Sequence, residues 1–155
     1  MPELPEVEVV KQSLDKKIKF QKINKVLVRN RNLRFKVPKN FEFFLKNKKI
    51  NKISRKSKYL VFHLNNNTFL IIHLGMTGTI HLNGKKNCRN TNVSFYGSSN
   101  LPMKHNHIII FLENYQIIYN DPRRFGFIKI FKNKKNLEFF FNNAFGHVRN
   151  NSFDW

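Results

Sequence analysis

Residues 50–74 read INKISRKSKYLVFHLNNNTFLIIHL, and this stretch decides the fold. Its apolar runs at Ile50–Ser54, Tyr59–Leu64 and Phe69–Leu74 have the usual length of a β-strand. Asn65 to Asn67 supply turn residues between the second and third runs. The stretch therefore predicts three consecutive strands that pair in an antiparallel sheet.

Further strand-like runs lie on both sides of this stretch. They are short, they are rich in apolar residues, and they occur at Phe20–Arg29, Thr79–Leu82, His107–Leu112, Gln116–Tyr119 and Phe127–Phe131. One long loop of low hydrophobicity separates them, from Gly84 to Leu101, and helices are predicted at Phe41–Leu45 and Leu137–Phe145. Seven or eight strands at this spacing predict a mainly β (α+β) domain, an antiparallel two-sheet β-sandwich with a short C-terminal helix.

The N-terminus reads MPELPEVEVV and predicts a helix. Pro5 suits the first helical turn, and acidic residues such as Glu6 favour the positive end of a helix. Apolar residues recur at helical spacing at Leu4, Val7, Val10 and Leu14. A plain amphipathic helix would explain all of these residues.

The same stretch has a chemical interpretation. Removal of an initiator Met before a small residue would make the secondary amine of Pro2 the N-terminus. An α-amino group has a pKa of about 7.7–8.0, so a useful fraction is unprotonated at neutral pH and can attack a carbonyl-like carbon to form an iminium. The adjacent Glu3 carboxyl can give or take the proton that this chemistry needs.

Charge and length limit the classes of function. A chain of 155 residues can bury a sizeable core and should form one domain. Its formal net charge of +20, from 29 Lys and Arg against 9 Asp and Glu, favours a polyanionic partner, nucleic acid above all. Part of the excess can also be compositional drift, because the abundant Lys, Asn, Ile and Phe share A/T-rich codons.

Targeting and metal signals are weak. No apolar run approaches about 18 residues and the N-terminus is acidic, so we expect a soluble intracellular protein without a membrane partner. The single cysteine, Cys88, excludes an intramolecular disulfide and a multi-cysteine zinc site. His105 and His107 would share one face of a strand, and without a visible third ligand we interpret them as structural.

Arg55-Lys56-Ser57-Lys58 places three cations directly before a strongly apolar strand. They can be solvated charges that flank an aggregation-prone run, or they can clamp a phosphate. Charge alone leaves both interpretations open.

His73-Leu74-Gly75-Met76-Thr77-Gly78 ends a buried strand in a tight turn. Glycine accepts backbone conformations that a side chain forbids, so a Met76 held between two glycines can project outward. A simple hairpin with a core methionine is the alternative.

Residues 121–126, DPRRFG, form a third block. Guanidinium donors suit the edge of an unpaired base, and an aromatic ring can wedge a base step and kink a duplex. A loop with two solvent-facing arginines explains the same residues without any ligand.

Together these blocks resemble bacterial formamidopyrimidine-DNA glycosylases. MPELPEVE resembles the N-terminus of these enzymes and not the Pro-Glu-Gly-Pro variant of the related endonuclease VIII. Residues 55–60 resemble their Arg-x-x-Lys-Tyr-Leu motif, with Ser57 in place of a usual small residue and without an expected consequence. Residues 73–78 match His-Leu-Gly-Met-(Ser/Thr)-Gly, and DPRRFG matches letter for letter. Residues 104–107 resemble a family segment that normally carries Asp at Asn106, and we assign them a structural role.

The resemblance implies a role for each motif residue. Pro2 would be the nucleophile at C1′, Glu3 the acid/base on the sugar ring and Glu6 a supporting residue of the catalytic set. The lysine that reaches the phosphate beside the lesion falls on Lys58, and His73 would hold the same backbone. The remaining residues implied in DNA binding are Met76, which enters the space of the extruded base, the inserted pair Arg123 and Phe125, and the cations Arg124 and Arg55.

The resemblance covers Met1 to about Phe145, so we expect a catalytic domain at residues 1–145 and the start of a linker or a truncated tail at residues 146–155. The helix-two-turn-helix and zinc finger domains of the family should be absent from this sequence, and with them the family's zinc, so no cofactor is expected. Either the chain is a fragment, or an early stop codon truncates it.

The implied function is a bifunctional DNA glycosylase/AP lyase for oxidised purines in double-stranded damaged DNA, acting as a cytoplasmic, nucleoid-associated monomer. Two rival hypotheses remain. A catalytically inactive DNA-binding relic explains the charge and the fold, and a basic ribosome-associated β-domain explains the charge but none of the motifs.

Overall fold

Two antiparallel sheets account for the strands of residues 3–84, 91–92 and 103–145, the part of the chain that the computed structural model describes. The helices are α1 (Leu4–Ile18), α2 (Phe41–Leu45) and α3 (Lys134–Phe145). The strands are β1 (Ile23–Val28), β2 (Ile50–Lys56), β3 (Tyr59–Leu64), β4 (Thr68–His73), β5 (Thr79–Gly84), β6 (Thr91–Asn92), β7 (Asn106–Leu112), β8 (Tyr115–Asn120) and β9 (Phe127–Phe131). The predicted β-sandwich with an N-terminal and a C-terminal helix is confirmed.

The first sheet has the strand order β1-β7-β8-β5-β6, and the second has the order β2-β3-β4-β9. The stretch that predicted three consecutive strands forms β2, β3 and β4, which pair in sequence as expected. The strand β9 closes the second sheet by pairing with β4, with Phe127 opposite His73. This register brings the residues that follow β4 and precede β9 to the same edge of the sandwich.

Two sequence predictions of strand position were wrong. Phe20 does not belong to the first strand, because its φ of 70° turns the chain before β1 begins at Ile23. The predicted loop Gly84–Leu101 contains β6, which pairs with β5 and is too short to leave a periodic signal in the sequence. The rest of that loop, Cys88 included, lies outside the described residues, as do Met1, Pro2 and residues 146–155.

The main core lies between the two sheets and α1. The predicted apolar face of α1 is buried at Val7, Val10 and Leu14, whereas Leu4 remains 43 % exposed. A hydrogen bond from the Ile53 backbone N–H to Asp15 Oδ1 at 2.7 Å fixes α1 against β2. Burial of this apolar face, rather than helix propensity, positions the N-terminus of the helix.

A second cluster covers the outer face of the second sheet. Leu137 and Phe141 of α3 are fully buried there against Val61, Ile71 and Phe127. The longest helix described, α1, has 15 residues, and none of the described helices has the length and apolar content that a membrane span requires.

The two histidines predicted to share a strand face do not. His105 ends a 3-10 helix, Met103–His105, and only His107 belongs to β7. His107 is buried, and its Nε2 lies 2.7 Å from the Asp121 carbonyl oxygen, which gives it a structural partner. Within residues 3–84, 91–92 and 103–145, no group of three or more His, Cys, Asp or Glu side chains could hold a metal ion.

Candidate active site

The N-terminus of α1 is fixed by its own acidic residues. Glu3 is the N-cap, and its backbone N–H donates to Glu6 Oε2 at 2.8 Å. The Glu3 carbonyl accepts the N–H groups of Glu6 and Val7, each at 3.1 Å. Pro2 lies outside the described residues, but the peptide that follows it is held by the Glu6 carboxylate. This contact caps the helix, and the supporting catalytic role of Glu6 stays a prediction.

An ion pair connects α1 to the strand that leads to Lys58. Arg55 Nε donates to Glu8 Oε1 at 2.8 Å, and its Nη1 donates to the Ser57 carbonyl at 3.0 Å. Partial burial alone would raise the pKa of Glu8, but hydrogen bonds from Arg55, Lys11 and Gln12 outweigh it and lower the pKa to about 2. Arg55 therefore joins helix and hairpin, and its predicted contact with DNA stays a prediction.

The direction of α1 follows from two contacts along its length. Asp15 meets β2 at Ile53, and Glu8 meets it at Arg55, nearer the tip of the hairpin. Seven helical residues rise about 10 Å, so the helix runs toward the tip as the chain is followed back to Glu3. The helix N-terminus and the hairpin tip with Lys58 therefore lie at the same end of the domain.

Lys58 sits in a two-residue turn. Lys56 and Tyr59 pair across the hairpin, which leaves Ser57 and Lys58 as the turn residues, and Tyr59 is opposite His73 on β4. The structure thus brings Lys58 and His73, which are 15 positions apart, to adjacent strand ends. Lys58 is partly buried.

Ser57 adopts φ 51°, a left-handed conformation that suits glycine. We expect Ser57→Gly to raise the free energy of unfolding by about 0.5–1 kcal/mol, because relief of the backbone strain exceeds the entropy that glycine gains in the unfolded chain. Urea denaturation measures the change. The matched control, Ser13→Gly inside α1, should lower stability by about 0.5 kcal/mol, and a loss of stability in both variants would contradict the strain argument.

His73 is held as a neutral hydrogen-bond donor. Its ring stacks on Phe127 at 5.3 Å between ring centres and meets Tyr59 edge-on at 4.8 Å. The Gly75 backbone N–H donates to Nδ1 at 3.0 Å, so the proton of the neutral imidazole resides on Nε2. Burial, followed by the positive charges of Arg34 and Lys58, lowers the pKa of His73. Nε2–H is therefore available to an acceptor such as a phosphate oxygen.

Two loops, residues 73–78 and residues 121–126, pack backbone against backbone. Gly75 has φ 62°, and a side chain there would lie 2.5 Å from the Gly126 nitrogen and 2.6 Å from the Phe125 carbonyl carbon. Between the glycines of its loop, Met76 is 46 % exposed. The glycine-rich turn therefore presents Met76 at the surface, as the motif predicted.

A buried carboxylate ties these loops together. Asp121 is 0 % exposed, and its Oδ1 accepts the Thr77 hydroxyl at 2.6 Å. Its Oδ2 accepts the Tyr119 hydroxyl at 2.8 Å and the Gly126 N–H at 2.9 Å. Burial, followed by the negative charge of Asp121, raises the pKa of Tyr119. The sequence alone assigned Asp121 no role. Once buried, its carboxylate needs hydrogen-bond partners, and the two loops supply them.

The tip of the 121–126 loop, residues 122–125, is exposed. The Arg123 guanidinium lies 4.7 Å from the centre of the Phe125 ring, and Phe125 is 44 % exposed. Arg124, also exposed, has φ 57°, which turns the chain between them. The structure therefore places the predicted pair, Arg123 and Phe125, side by side at the surface.

Arg34 is a neighbour of this site that sequence reasoning missed. Its backbone N–H donates to the Gly126 carbonyl at 3.3 Å, and its guanidinium lies 5.9 Å from the Phe127 ring. It comes from a basic, irregular segment, where nothing in the sequence distinguishes it from the other cations. Its charge adds to that of Lys58 around His73.

Comparison with known proteins gives one consistent family. Residues 1–128 match the family model of the formamidopyrimidine-DNA glycosylase N-terminal domain. The formamidopyrimidine-DNA glycosylase of Wolbachia pipientis subsp. Culex pipiens is 41 % identical over 143 residues, which are 92 % of this chain and 48 % of the relative. That of Wolbachia sp. subsp. Brugia malayi is 38 % identical over 94 % of this chain and 49 % of the relative. The chain spans about half the length of the curated relatives it matches.

Solved structures give the same result. The Lactococcus lactis Fpg in complex with DNA that contains an abasic site has a TM-score of 0.73 and 30 % identity, over 91 % of this chain and 48 % of that chain. A complex of the same protein with a THF-DNA and an inhibitor has a TM-score of 0.73 and 31 % identity, over 91 % and 47 %. By the match of most of its length to the family model, the chain belongs to the formamidopyrimidine-DNA glycosylase family, as a relative of its N-terminal domain.

Proposed function

We propose that this chain is the catalytic domain of a base-excision repair enzyme, a DNA glycosylase and AP lyase that removes oxidised purines such as 8-oxoguanine and formamidopyrimidines from duplex DNA. One observation carries the proposal: the N-terminus of α1, the Lys58–His73 pair and the two loops joined by Asp121 converge at one end of the sandwich. The printed names of the relatives and the DNA bound in the Lactococcus lactis complexes support it.

The proposed reaction begins at Pro2. Its unprotonated secondary amine attacks C1′ of the damaged nucleotide, the glycosidic bond breaks, and the base leaves. Glu3 then donates a proton to the ring oxygen as the bond between C1′ and that oxygen breaks, and the opened sugar remains attached to the amine as an iminium. Successive β- and δ-eliminations cleave the strand on both sides, and water then releases the sugar fragment. An amine and a carboxyl suffice for these steps, so we propose no cofactor for this domain.

The backbone phosphate beside the lesion is the proposed ligand of Lys58 and His73. A lysine ammonium supplies charge, and the neutral His73 supplies a directed Nε2–H donor whose orientation is fixed by Gly75 and Phe127. The net charge of +20 adds sequence-independent attraction to DNA, which should weaken strongly with salt.

The two exposed loops are proposed to replace the extruded base. A modified base must leave the stack before its C1′ can be attacked, and this costs a few kcal/mol. Met76 would fill the vacated space, while Phe125 wedges the base step and Arg123 offers donors to the base left unpaired. Because Asp121 joins both loops, they would enter the duplex as one rigid unit.

We expect Met76→Ala, Arg123→Ala and Phe125→Ala each to lower activity on a lesion in duplex DNA by about tenfold or more, and activity on an abasic site in single-stranded DNA by much less. Their proposed work is to stabilise the opened duplex, which a single strand does not require. Single-turnover cleavage of both substrates by the protein in its natural full length measures this. Phe139→Ala, an exposed aromatic truncation on α3, is the control and should change neither rate. Equal losses on both substrates would indicate a folding role instead.

A further inference from the structure

The end of the second sheet farthest from Lys58 and His73 carries lysines and exposed phenylalanines. The strand β3 runs from Tyr59, beside His73, to Leu64 at this far end. Its six residues span roughly 20 Å at about 3.3 Å per residue, so the two ends are separate sites. We call the following residues the remote lysine surface: Lys19, Phe20, Phe43, Phe44, Lys46, Lys48, Lys49 and Lys132.

Part of this surface forms a cleft of about 460 Å³. Phe43, Phe44, Lys46, Lys48 and Lys132 line it together with two asparagines. Phe43 is 86 % exposed, more than any other large hydrophobic side chain in the described part of the chain. The Phe43 ring is therefore accessible to a ligand, with three cations in the lining of the same cleft.

Lysines lie over the aromatic rings of this surface. Lys48 is 5.1 Å from the centre of the Phe44 ring, and Lys19 and Lys49 lie 5.2 Å and 5.5 Å from that of Phe20. Among the described residues that line the cleft, none is acidic. Glu42, the neighbouring carboxylate on α2, is paired with Arg31. The surface therefore presents positive charge and aromatic rings together, and none of the described residues in the cleft lining carries a negative charge.

We propose that the remote lysine surface binds single-stranded nucleic acid. The lysines would contact successive phosphates, and an unstacked base would lie on the Phe43 ring. Charge that follows a backbone, combined with aromatic faces that accept any base, is the general chemistry of single-strand binding without sequence preference. A duplex offers the same phosphates but keeps its base faces covered, so the exposed ring favours the single strand. The surface lies outside the proposed catalytic site, and its binding needs neither a lesion nor Pro2.

The test is binding of a fluorescent oligothymidylate to the full chain over a range of salt concentrations. Lys48→Gln should reduce the slope of log affinity against log salt by about 0.7, and the combined Lys46, Lys48 and Lys132 to Gln variant by about 2. Lys25→Gln is the matched control, because Lys25 also lies over a ring, Phe111 at 5.8 Å, but on the first sheet. It should leave the slope nearly unchanged.

Base stacking is tested separately. Phe43→Ala should weaken oligothymidylate binding by about fivefold or more, whereas Phe139→Ala, at 68 % exposure on α3, should have little effect. Equal effects of Lys48→Gln and Lys25→Gln, or of the two phenylalanine variants, would overturn the proposal in favour of general charge attraction. Displacement of the oligonucleotide by polyglutamate at an equal concentration of charges would overturn it in favour of an acidic polypeptide partner. A Pro2 variant that has lost lyase activity should bind the oligothymidylate as tightly as the wild type does. The binding proposal and the catalytic proposal can therefore fail independently.

Discussion

Gly75→Ala should lower the free energy of unfolding by about 3 kcal/mol and remove activity on a lesion in duplex DNA. A left-handed φ of 62° costs an L-residue about 1–2 kcal/mol. The new Cβ would also lie 2.5 Å from the Gly126 nitrogen and 2.6 Å from the Phe125 carbonyl carbon. These are backbone atoms that cannot rotate away, and overpacking of this kind costs about 1–3 kcal/mol.

The clash would separate the loops that Asp121 holds together. Gly126 donates to Asp121 Oδ2 at 2.9 Å, so a shift of Gly126 away from Gly75 strains this buried hydrogen bond. Met76 would then lose its fixed place relative to Arg123 and Phe125, which share the loop with Gly126.

Met76→Ala is the matched control for Gly75→Ala. Met76 is the next residue and is 46 % exposed, so its truncation should change stability by less than about 0.5 kcal/mol while still impairing duplex activity. Urea denaturation of both variants measures the difference. A Gly75→Ala protein as stable as the wild type would show that the two loops are not packed as described.

Retention of Met1, or addition of any residue before Pro2, should abolish borohydride trapping of DNA that contains an abasic site. Acylation converts the Pro2 amine into a peptide nitrogen whose lone pair is delocalised into the carbonyl, so it can no longer attack C1′. All other residues of the site remain, and the expected trapped fraction is that of the background without enzyme.

A second variant separates the loss of the amine from the loss of the N-terminal structure. Pro2→Ala, processed to a free N-terminus, keeps an α-amine and the Glu3–Glu6 contact, so it should still trap DNA. Gel analysis of reduced reactions distinguishes these forms. Trapping by the Met1-retaining protein at the level of the wild type would mean that a lysine is the nucleophile.

The regular parts of the fold could be predicted from the sequence because local patterns determine them. The ranges predicted for β3 and β9, Tyr59–Leu64 and Phe127–Phe131, match the observed strands, since these short apolar runs are bounded by turn residues or glycine. The short helix Phe41–Leu45 was also predicted correctly. The strand β6 could not be predicted, because it has only two residues and is specified by pairing with β5 rather than by its own pattern.

The motifs identified the residues at the candidate site but not what holds them. Tyr59 on β3 pairs with His73 on β4, and this strand register brings Lys58, the residue before Tyr59, beside His73. Local sequence patterns do not determine such a register. Asp121 reads in the sequence as a turn residue, and its burial under Thr77 and Gly126 appears only once the sheets are assembled. The pairing of Arg55 with Glu8 likewise depends on how α1 crosses β2.

Identification of the residue that carries the trapped DNA tests the central proposal most directly. After borohydride reduction, nuclease digestion and trypsin cleavage, the sugar remnant should be found by mass spectrometry on the N-terminal peptide, residues 2–11, and fragmentation should place it on the Pro2 nitrogen. A remnant on Lys58, or on any other lysine, would contradict the proposed mechanism.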